Sequence, residues 1–448
     1  MRCFTRKDIK TMQSCLKNTK YYHTIIVGGG AAGLYAAARL ACGPLCGPGR
    51  AAPGPAPSIL LLEKTGRLGT KLLMSGAGQC NLTHAGNIKE FLSCYGKNGP
   101  RIRTCLYAHN NLAVCDFFES LGVKLTQRED GKIFPASMDS HEVRDALVRT
   151  AGSGGVRIET GYAVREILSL SPGGTSRYRL STMDGTSWEC CNLLITSGGC
   201  SYPSTGSDGG MLEILRRDLD LEIIPPLPAL APVFVENYPF AELSGISFPE
   251  AGITLRDRDT SAAVLTGCGD LLLTHRNFSG PVILNNSRFM KSGMGLEINF
   301  VFPYTIDSIL ARMKKDFSAN PRHIEHWLAE SYGLPKRFCE AAAREIGLPG
   351  KKVSGLSGQQ MRKLAETISA WKFTVSGLAG FGQAMVTCGG VSLSELSLKT
   401  MEAKNHPGLY LAGEVLDIDG DTGGYNLQFA FASAAAAARA LEKDTVGC

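Results

Sequence analysis

Residues 23–40 read HTIIVGGGAAGLYAAARL, and this stretch constrains the chain more than any other. A run rich in β-formers leads straight into Gly28-x-Gly30-x-x-Gly33, and an Ala-rich helical pattern follows at once. A GxGxxG alone is weak evidence, but between a strand and a helix each glycine has a task. Gly28 makes the tight turn, Gly30 lets the backbone approach a pyrophosphate, and Gly33 lets the helix pack closely on the strand. The chain is therefore expected to open a Rossmann-like α/β domain around a dinucleotide. The segment SILLLEK (58–64) supplies the second strand, ending on Glu63. An acid there accepts hydrogen bonds from ribose hydroxyls and repels the extra phosphate of NADP. Glu63 arrives about ten residues later than the usual spacing. The Gly/Pro-rich stretch 41–58 accounts for the delay as a surface insertion.

Three features favour FAD over NAD. After Glu63 comes GRLGTKLLMSGAGQCNLTHAG (66–86), where a nicotinamide enzyme would run into another crossover helix. Lys71 suits a phosphate or ribose, and the run from Ser75 to Asn81 offers backbone N–H groups at low steric cost. Next, residues 141–167 read as helix, turn and strand, then a segment centred on Val164, whose backbone is placed for an adenine edge. Last, LYLAGEVLD (409–417) is a late strand returning the chain to the nucleotide domain, and Gly423-Gly424-Tyr425-Asn426-Leu427 opens a helix. The N–H groups and positive dipole end of that helix suit the N1/C2=O edge of a reduced flavin. Glu414 and Asp417 are the best-placed acids beside the ribityl chain and pyrophosphate, with Asp419 on the outer side of the same turn. A side chain at Gly424 is expected to intrude on the flavin or force a disfavoured backbone angle.

The alternation of Asp417, Asp419 and Asp421 also resembles a calcium loop. That grammar needs Gly at position six and a bidentate Glu at position twelve. Thr422 and Gln428 stand there instead, so no metal site is expected. Fifteen cysteines at irregular spacing include no zinc-type CxxC pair, and eight scattered histidines do not complete one. Free thiols in a reducing, cytoplasmic setting are the expectation.

At 448 residues two or three domains are expected. The basic extension 1–20 carries six Lys/Arg against Asp8, and so most of the net charge of +6. The remainder is close to neutral, and nucleic-acid binding is not expected. No stretch reaches the roughly 18 apolar residues of a membrane span. The flavin domain is expected over 21–210 and 386–448. A barrel-like substrate domain is expected over 211–303 and 352–385, where APVFVE, GITLRD, AAVLTG, DLLLTH and GLEINFVF read as short strands. A helical insertion is expected over 304–351, from the amphipathic runs SILARMKKDF, IEHWLAESYG and KRFCEAAAREIG. No second GxGxxG follows a strand, so a separate NAD(P)H domain is missing, and Cys80 has no partner at CxxxxC spacing.

GGGAAG, KLLMSGAGQCNLT, TSGGCSYPSTGSDGG (196–210), THRNFSGP (274–281), VTCGGV (386–391) and GEVLDIDGDTGGYNLQFA (413–430) together resemble one family. It is the bacterial flavoprotein family that includes the bile-acid ene-reductases and the aminoacetone oxidases. The resemblance covers nearly the whole chain from Tyr22. It implies an FAD-binding domain interrupted by a barrel-like domain with a helical insertion. It also implies flavin contacts at Ala32, Glu63, Lys71, Leu72, Ala77, Gly78, Gln79, Cys80, Asn81, Val164, Glu414, Asn426 and Leu427. Gln79 stands where Arg is usual.

Candidates for catalysis are few. His275 precedes an expected helix start, and Tyr202 lies in a Ser-Tyr-Pro turn; each is open to a structural reading or to proton donation, while Tyr425 is expected on or near the flavin. The family resemblance implies NAD(P)H-driven reduction of conjugated C=C bonds in 3-oxo-Δ4 or Δ4,6 bile-acid intermediates, a small-molecule substrate. An amine oxidase using oxygen is the alternative enzyme. A non-catalytic or RNA-associated flavin module is the third reading.

Overall fold

A computed structural model describes residues 19–43, 58–170, 176–316 and 322–444. The basic extension, apart from its last two residues, and most of the 41–58 insertion lie outside the described residues. The chain forms two compact units. One comprises the chain up to Leu227 together with Val386 onward, and the other runs from Pro228 to Met385.

The first unit is a Rossmann-like α/β domain. Five parallel strands stand in the spatial order Leu409–Leu411, Ser187–Ile195, Lys20–Val27, Ile59–Glu63, Arg157–Thr160. Their central residues, among them Ile25, Ile26, Leu60, Leu61, Leu193 and Leu194, are fully buried. A parallel sheet covered on both faces requires such unbroken apolar runs. The chain builds outward from the first strand to the second and third, then crosses back to place Ser187–Ile195 on the other side. The reversal makes a topological switch point at the carboxyl ends of Lys20–Val27 and Ser187–Ile195, where ligands of such sheets bind. The helix Ala31–Cys42 packs against the helices Ser140–Ser153 and Tyr425–Asp444. Alanine lines much of both the first and the last helix, so their backbones approach closely. Tyr35 fills the remaining space, stacked on Phe431 at 4.7 Å.

The second unit closes a six-stranded barrel: Val233–Val235, Phe278–Ser279, Ala263–Leu273, Ser247–Arg256, Gly295–Asn299, Trp371–Leu378. Helices Ile306–Asp316, Ile324–Tyr332, Lys336–Glu345 and Gly358–Ser369 share its core. Phe338, from the third of these, lies 4.7 Å from Phe300 and 4.8 Å from Phe248 on the barrel side.

Three expectations are corrected. The boundary falls after Leu227 rather than at 210, because helix Gly210–Leu219 packs on strand Val164–Ser169, with Ile167 N donating to Asp218 Oδ2 at 2.9 Å. The helices extend to Ser369, well beyond 351, because Ser357 and Gln360 form a capping box that starts a further helix. The runs AAVLTG and DLLLTH are one strand, Ala263–Leu273, carried across Gly267 and Gly269 without a turn.

Candidate functional site

The glycine turn has the geometry that its spacing foretells. A Cβ on Gly33 would lie 1.9 Å from Gly28 O, and one on Gly28, at φ +110°, would lie 2.5 Å from Thr196 O. A Cβ on Gly30 would meet nothing within 4 Å, so the backbone there is open to a large anionic group. Thr196 Oγ1 donates to Val27 O and Gly28 O, tying the first and fourth strands of the chain's parallel set together at the turn. The neighbouring Ser197 Oγ is buried and has no hydrogen-bond partner among the described residues. An orphaned buried hydroxyl costs about 1–3 kcal/mol unless a ligand satisfies it.

Glu63 is buried at the end of its strand. Oε2 accepts from Gly29 N at 2.8 Å, while Oε1 accepts from Thr65 N and Thr65 Oγ1, both at 2.8 Å. These donors fix the carboxylate beside the turn and leave lone pairs for ribose hydroxyls. Val164 begins the strand that follows Gly161 and Tyr162, whose N–H groups bond Thr65 O and Glu63 O. Ala32 packs at the first turn of its helix, 2.9 Å from where a Gly413 Cβ would be. Leu72 is buried within the short helix Thr70–Met74.

The loop from Ser75 to Asn81 holds a rare backbone. Gly76, Ala77, Gly78 and Cys80 all have positive φ, with Ala77 at +56° and Cys80 at +61°. Such strain in non-glycine residues collects at functional sites. Burial pushes the Cys80 thiol up to about 12, against an opposing Ser75 hydrogen bond, so it is a packed thiol rather than a nucleophile. Gln79 Oε1 accepts from Arg128 Nη2 at 2.5 Å, and that guanidinium lies 4.1 Å over the Phe134 ring. A cation thus reaches the loop from another segment. With its amide oriented to satisfy both ends, Asn81 accepts from Gly424 N at 3.0 Å and donates to Thr83 O at 2.9 Å.

Lys71 is placed in an ion pair. Its Nζ donates to Glu414 Oε2 at 2.6 Å and also to Ser201 Oγ. Glu414 Oε1 accepts from Ser201 Oγ at 2.7 Å and from Thr387 N at 2.9 Å. Thr387 Oγ1 in turn accepts from the N–H groups of Cys200 and Ser201. Sequence reasoning missed Ser201 and Thr387, although both sit in the quoted motifs TSGGCSYPSTGSDGG and VTCGGV.

In the acidic run the three aspartates part company. Asp417 is buried; its Oδ1 accepts from Gly389 N at 3.1 Å, and its carbonyl accepts from Asn98 Nδ2 at 2.8 Å. Asp419, expected on the outer side, is buried with 8% of its surface exposed, so that expectation is corrected. Asn426 folds back on the turn: Oδ1 accepts from Gly420 N and Nδ2 donates to Gly420 O, both at 2.8 Å. Gln428, at the twelfth position of the would-be calcium loop, is fully buried, accepting from Thr83 Oγ1 and donating to His109 O. It belongs to the core of the helix packing, not to a loop. No group of three or more candidate metal ligands occurs among the described residues.

The helix Tyr425–Asp444 presents the N–H groups of Tyr425, Asn426 and Leu427 ahead of its first bonded one, Gln428 N to Gly424 O. Gly424 has φ +96°, and a Cβ there would lie 2.7 Å from Thr83 C and O. The positive φ is the disfavoured backbone angle expected for a side chain at Gly424, and the Thr83 backbone adds a steric constraint that the sequence did not show. Tyr425 stacks on His84 at 5.5 Å.

Tyr202 and His275 belong to different units. Tyr202 takes a left-handed conformation, φ +53°, and its hydroxyl makes no hydrogen bond among the described residues. His275 is exposed in the turn after strand Ala263–Leu273; a short strand, Phe278–Ser279, separates it from the helix Pro281–Asn286.

The residues around Gly30, Glu63, Ser197 and the last helix's N-terminus fit an FAD molecule: an open glycine backbone, a fixed carboxylate, an orphaned hydroxyl and free N–H groups. The family described as the HI0933-like protein Rossmann domain matches residues 22–440. The chain is 28% identical to a ribosomal RNA dihydrouridine synthase of Haemophilus influenzae, over 95% of this chain and 100% of that protein. It is 30% identical to the protein of the same name in Escherichia coli K12, over 94% of this chain and 98% of the other. It is also 30% identical to a 3-dehydro-bile acid delta(4,6)-reductase of Clostridium scindens, over 93% and 98%.

Proposed function

Because this chain belongs to the HI0933-like family of Rossmann-domain, FAD-dependent oxidoreductases, we propose that it reduces a carbon–carbon double bond conjugated to a carbonyl. The single observation that carries the cofactor half is the cradle at the switch point, where Gly30 is open and Ser197 Oγ is orphaned. The substrate half is supported by what the relatives' names have in common. A uracil ring has C5=C6 conjugated to its C4 carbonyl, and a 3-oxo-Δ4,6 bile acid has two C=C bonds conjugated to its 3-oxo group. The amine-oxidase alternative is carried by none of the relatives named above.

Bound FAD supplies hydride chemistry toward the β-carbon of such a system. The chain's own groups hold and orient. Glu63 would accept ribose hydroxyls while held by Gly29 and Thr65 N–H groups. The Gly30 backbone and Ser197 Oγ would meet the pyrophosphate region, and Val164 the adenine edge. The Tyr425, Asn426 and Leu427 N–H groups would stabilise negative charge at the flavin's pyrimidine edge. Lys71 neutralises Glu414, so that a lone carboxylate does not oppose that charge. The Tyr202 hydroxyl, without another partner among the described residues, is the candidate to deliver the proton to the α-carbon. NAD(P)H is the proposed reductant, visiting without a domain of its own.

Purified protein is expected to be yellow and to release FAD on denaturation. Anaerobically reduced protein should be reoxidised by a 3-oxo-Δ4,6 steroid or by uridine-containing RNA. A protein that takes up no FAD, or whose reduced flavin is reoxidised by neither substrate, overturns the reading.

A further inference from the structure

The near-neutral charge of the chain beyond its basic extension conceals a separation of charge. Between Thr305 and Ala370 the sequence holds eleven Lys/Arg against seven Asp/Glu. The acids are largely spent on internal tasks. Asp316 Oδ2 accepts from Trp327 Nε1 at 2.9 Å, and Glu325 Oε1 accepts from Gly350 N at 2.6 Å. Glu330 binds Arg322 and His326, and Glu366 binds Arg362. Lys314, Lys315 and Lys352 are exposed and make no ion pair among the described residues.

The fold gathers these cations. Helix Ile306–Asp316 carries Lys314 and Lys315 in its last turn and packs against the turn Val353–Gly355, which Lys352 precedes. An antiparallel bridge pairs His323 with Lys352, with Val353 N donating to Arg322 O at 3.0 Å. On the same helix Arg312 lies 5.2 Å over the Tyr332 ring, and Tyr332 meets the exposed Tyr304 edge-on at 5.1 Å. Tyr332 is half-buried against the core, and Tyr304 is the exposed ring. Unpaired cations near an exposed aromatic ring suit a phosphate backbone with a base to stack. An acidic peptide would use the charge but not the ring.

We propose that this helical surface of the second unit docks structured RNA, which makes uracil in RNA the substrate class of the reduction proposed above. The inference rests on that reading for the chemistry, but not for the binding. It also replaces the expectation that nucleic acid is not a partner, which averaged the charge over the whole chain.

The test uses the full-length holoprotein and a fluorescein-labelled, uridine-containing RNA stem-loop, with anisotropy read across a salt series. Wild type should bind, with log affinity falling linearly as log salt rises. The triple reversal Lys314→Glu, Lys315→Glu, Lys352→Glu should weaken binding at least about tenfold and flatten the salt slope by about two. The milder Lys→Gln triple should fall between, and FAD content and melting temperature should stay unchanged in both. Reversal of Lys97 and Arg103, exposed on the flavin unit, should leave the affinity in place. An unaltered RNA affinity in the triple reversal, or an equal loss in the Lys97 and Arg103 variant, overturns the proposal. So does binding to phosphatidylglycerol vesicles without binding to RNA. Reduction of the steroid dienone by a protein that does not bind RNA would sink this inference and leave the proposed chemistry standing. RNA binding by a protein that takes up no FAD would do the reverse.

Discussion

Lys71 Nζ lies 2.6 Å from Glu414 Oε2, an ion pair between residues 343 positions apart in the chain. Both side chains are less than a quarter exposed, so neither charge is well solvated without the other. Lys71→Met should therefore lower stability by about 1–3 kcal/mol and weaken FAD retention, while Glu414→Gln in that background should restore part of the stability. A double-mutant cycle on the apoprotein measures the coupling, expected at about 1–2 kcal/mol. Strict additivity would show that the pair contributes nothing.

Two glycines separate cofactor binding from folding. Gly30 has an extended backbone that any residue adopts, and a Cβ there meets nothing. Gly30→Val should leave the apoprotein's melting temperature in place and raise the FAD dissociation constant at least about tenfold, or about 1.4 kcal/mol. Gly424→Val should instead destabilise apo and holo forms alike by about 2–4 kcal/mol, through its left-handed backbone and the Thr83 contact. Differential scanning fluorimetry with and without FAD reads both.

Ser197→Ala removes a buried hydroxyl that has no partner among the described residues. The apoprotein should be no less stable, whereas FAD should bind more weakly, by about 0.5–1.5 kcal/mol. Titration calorimetry on the apoprotein checks the second half. A destabilised apoprotein with undiminished FAD affinity would place the hydroxyl's partner inside the protein.

His109 should set part of the acid limit of stability. Burial, with Arg39 and Arg439 nearby, holds its imidazole down at about 3, and Tyr35 Oη lies 2.6 Å from its Nε2. The unfolded chain titrates near 6.5, so between pH 6.5 and about 3 the unfolded state binds the extra proton. Stability then falls as pH falls, by up to about 1.4 kcal/mol per pH unit from this group. Urea titrations at pH 7, 5.5 and 4.5 should show a shallower acid loss in His109→Gln than in wild type.

The acidic run should respond as buried structure and not as a metal loop. Added calcium should leave the melting temperature unchanged. Asp417→Asn should cost about 1 kcal/mol, since an amide still accepts from Gly389 N but loses the charge-assisted bond. Asp419→Asn should now cost a comparable amount, because Asp419 is buried. A calcium-dependent rise in melting temperature that both substitutions abolish would restore the metal reading.

What was legible in the sequence was mostly local. Gly28, Gly33 and Glu63 are fixed by short spacing around one turn, and the structure gives each the geometry that spacing demands. The barrel was legible from strand rhythm and its helices from amphipathic runs. Asp419 was misjudged because alternating acids say nothing about which side of a turn is covered. Helix Gly210–Leu219 was assigned to the wrong unit because its partner strand lies some fifty residues earlier. Ser201 and Thr387 carry no individual signal; they matter through one carboxylate that joins two distant motifs. The basic helical surface was invisible to a net charge, which sums over surfaces that never meet.

The same long-range pairing has a consequence for how the protein comes into being. The strand Leu409–Leu411 and the helix Tyr425–Asp444 complete a sheet and a helix layer begun near residue 20, and a whole barrel unit is synthesised in between. At about 5–20 residues per second, Lys71 waits on the order of tens of seconds for Glu414 to leave the ribosome. The amino-terminal segment spends that interval with an unfinished sheet edge and its lysine without its carboxylate, while the barrel unit, one continuous stretch of the chain, is free to fold first. The Lys71–Glu414 pair is thereby one of the last contacts of the first unit that synthesis allows to form.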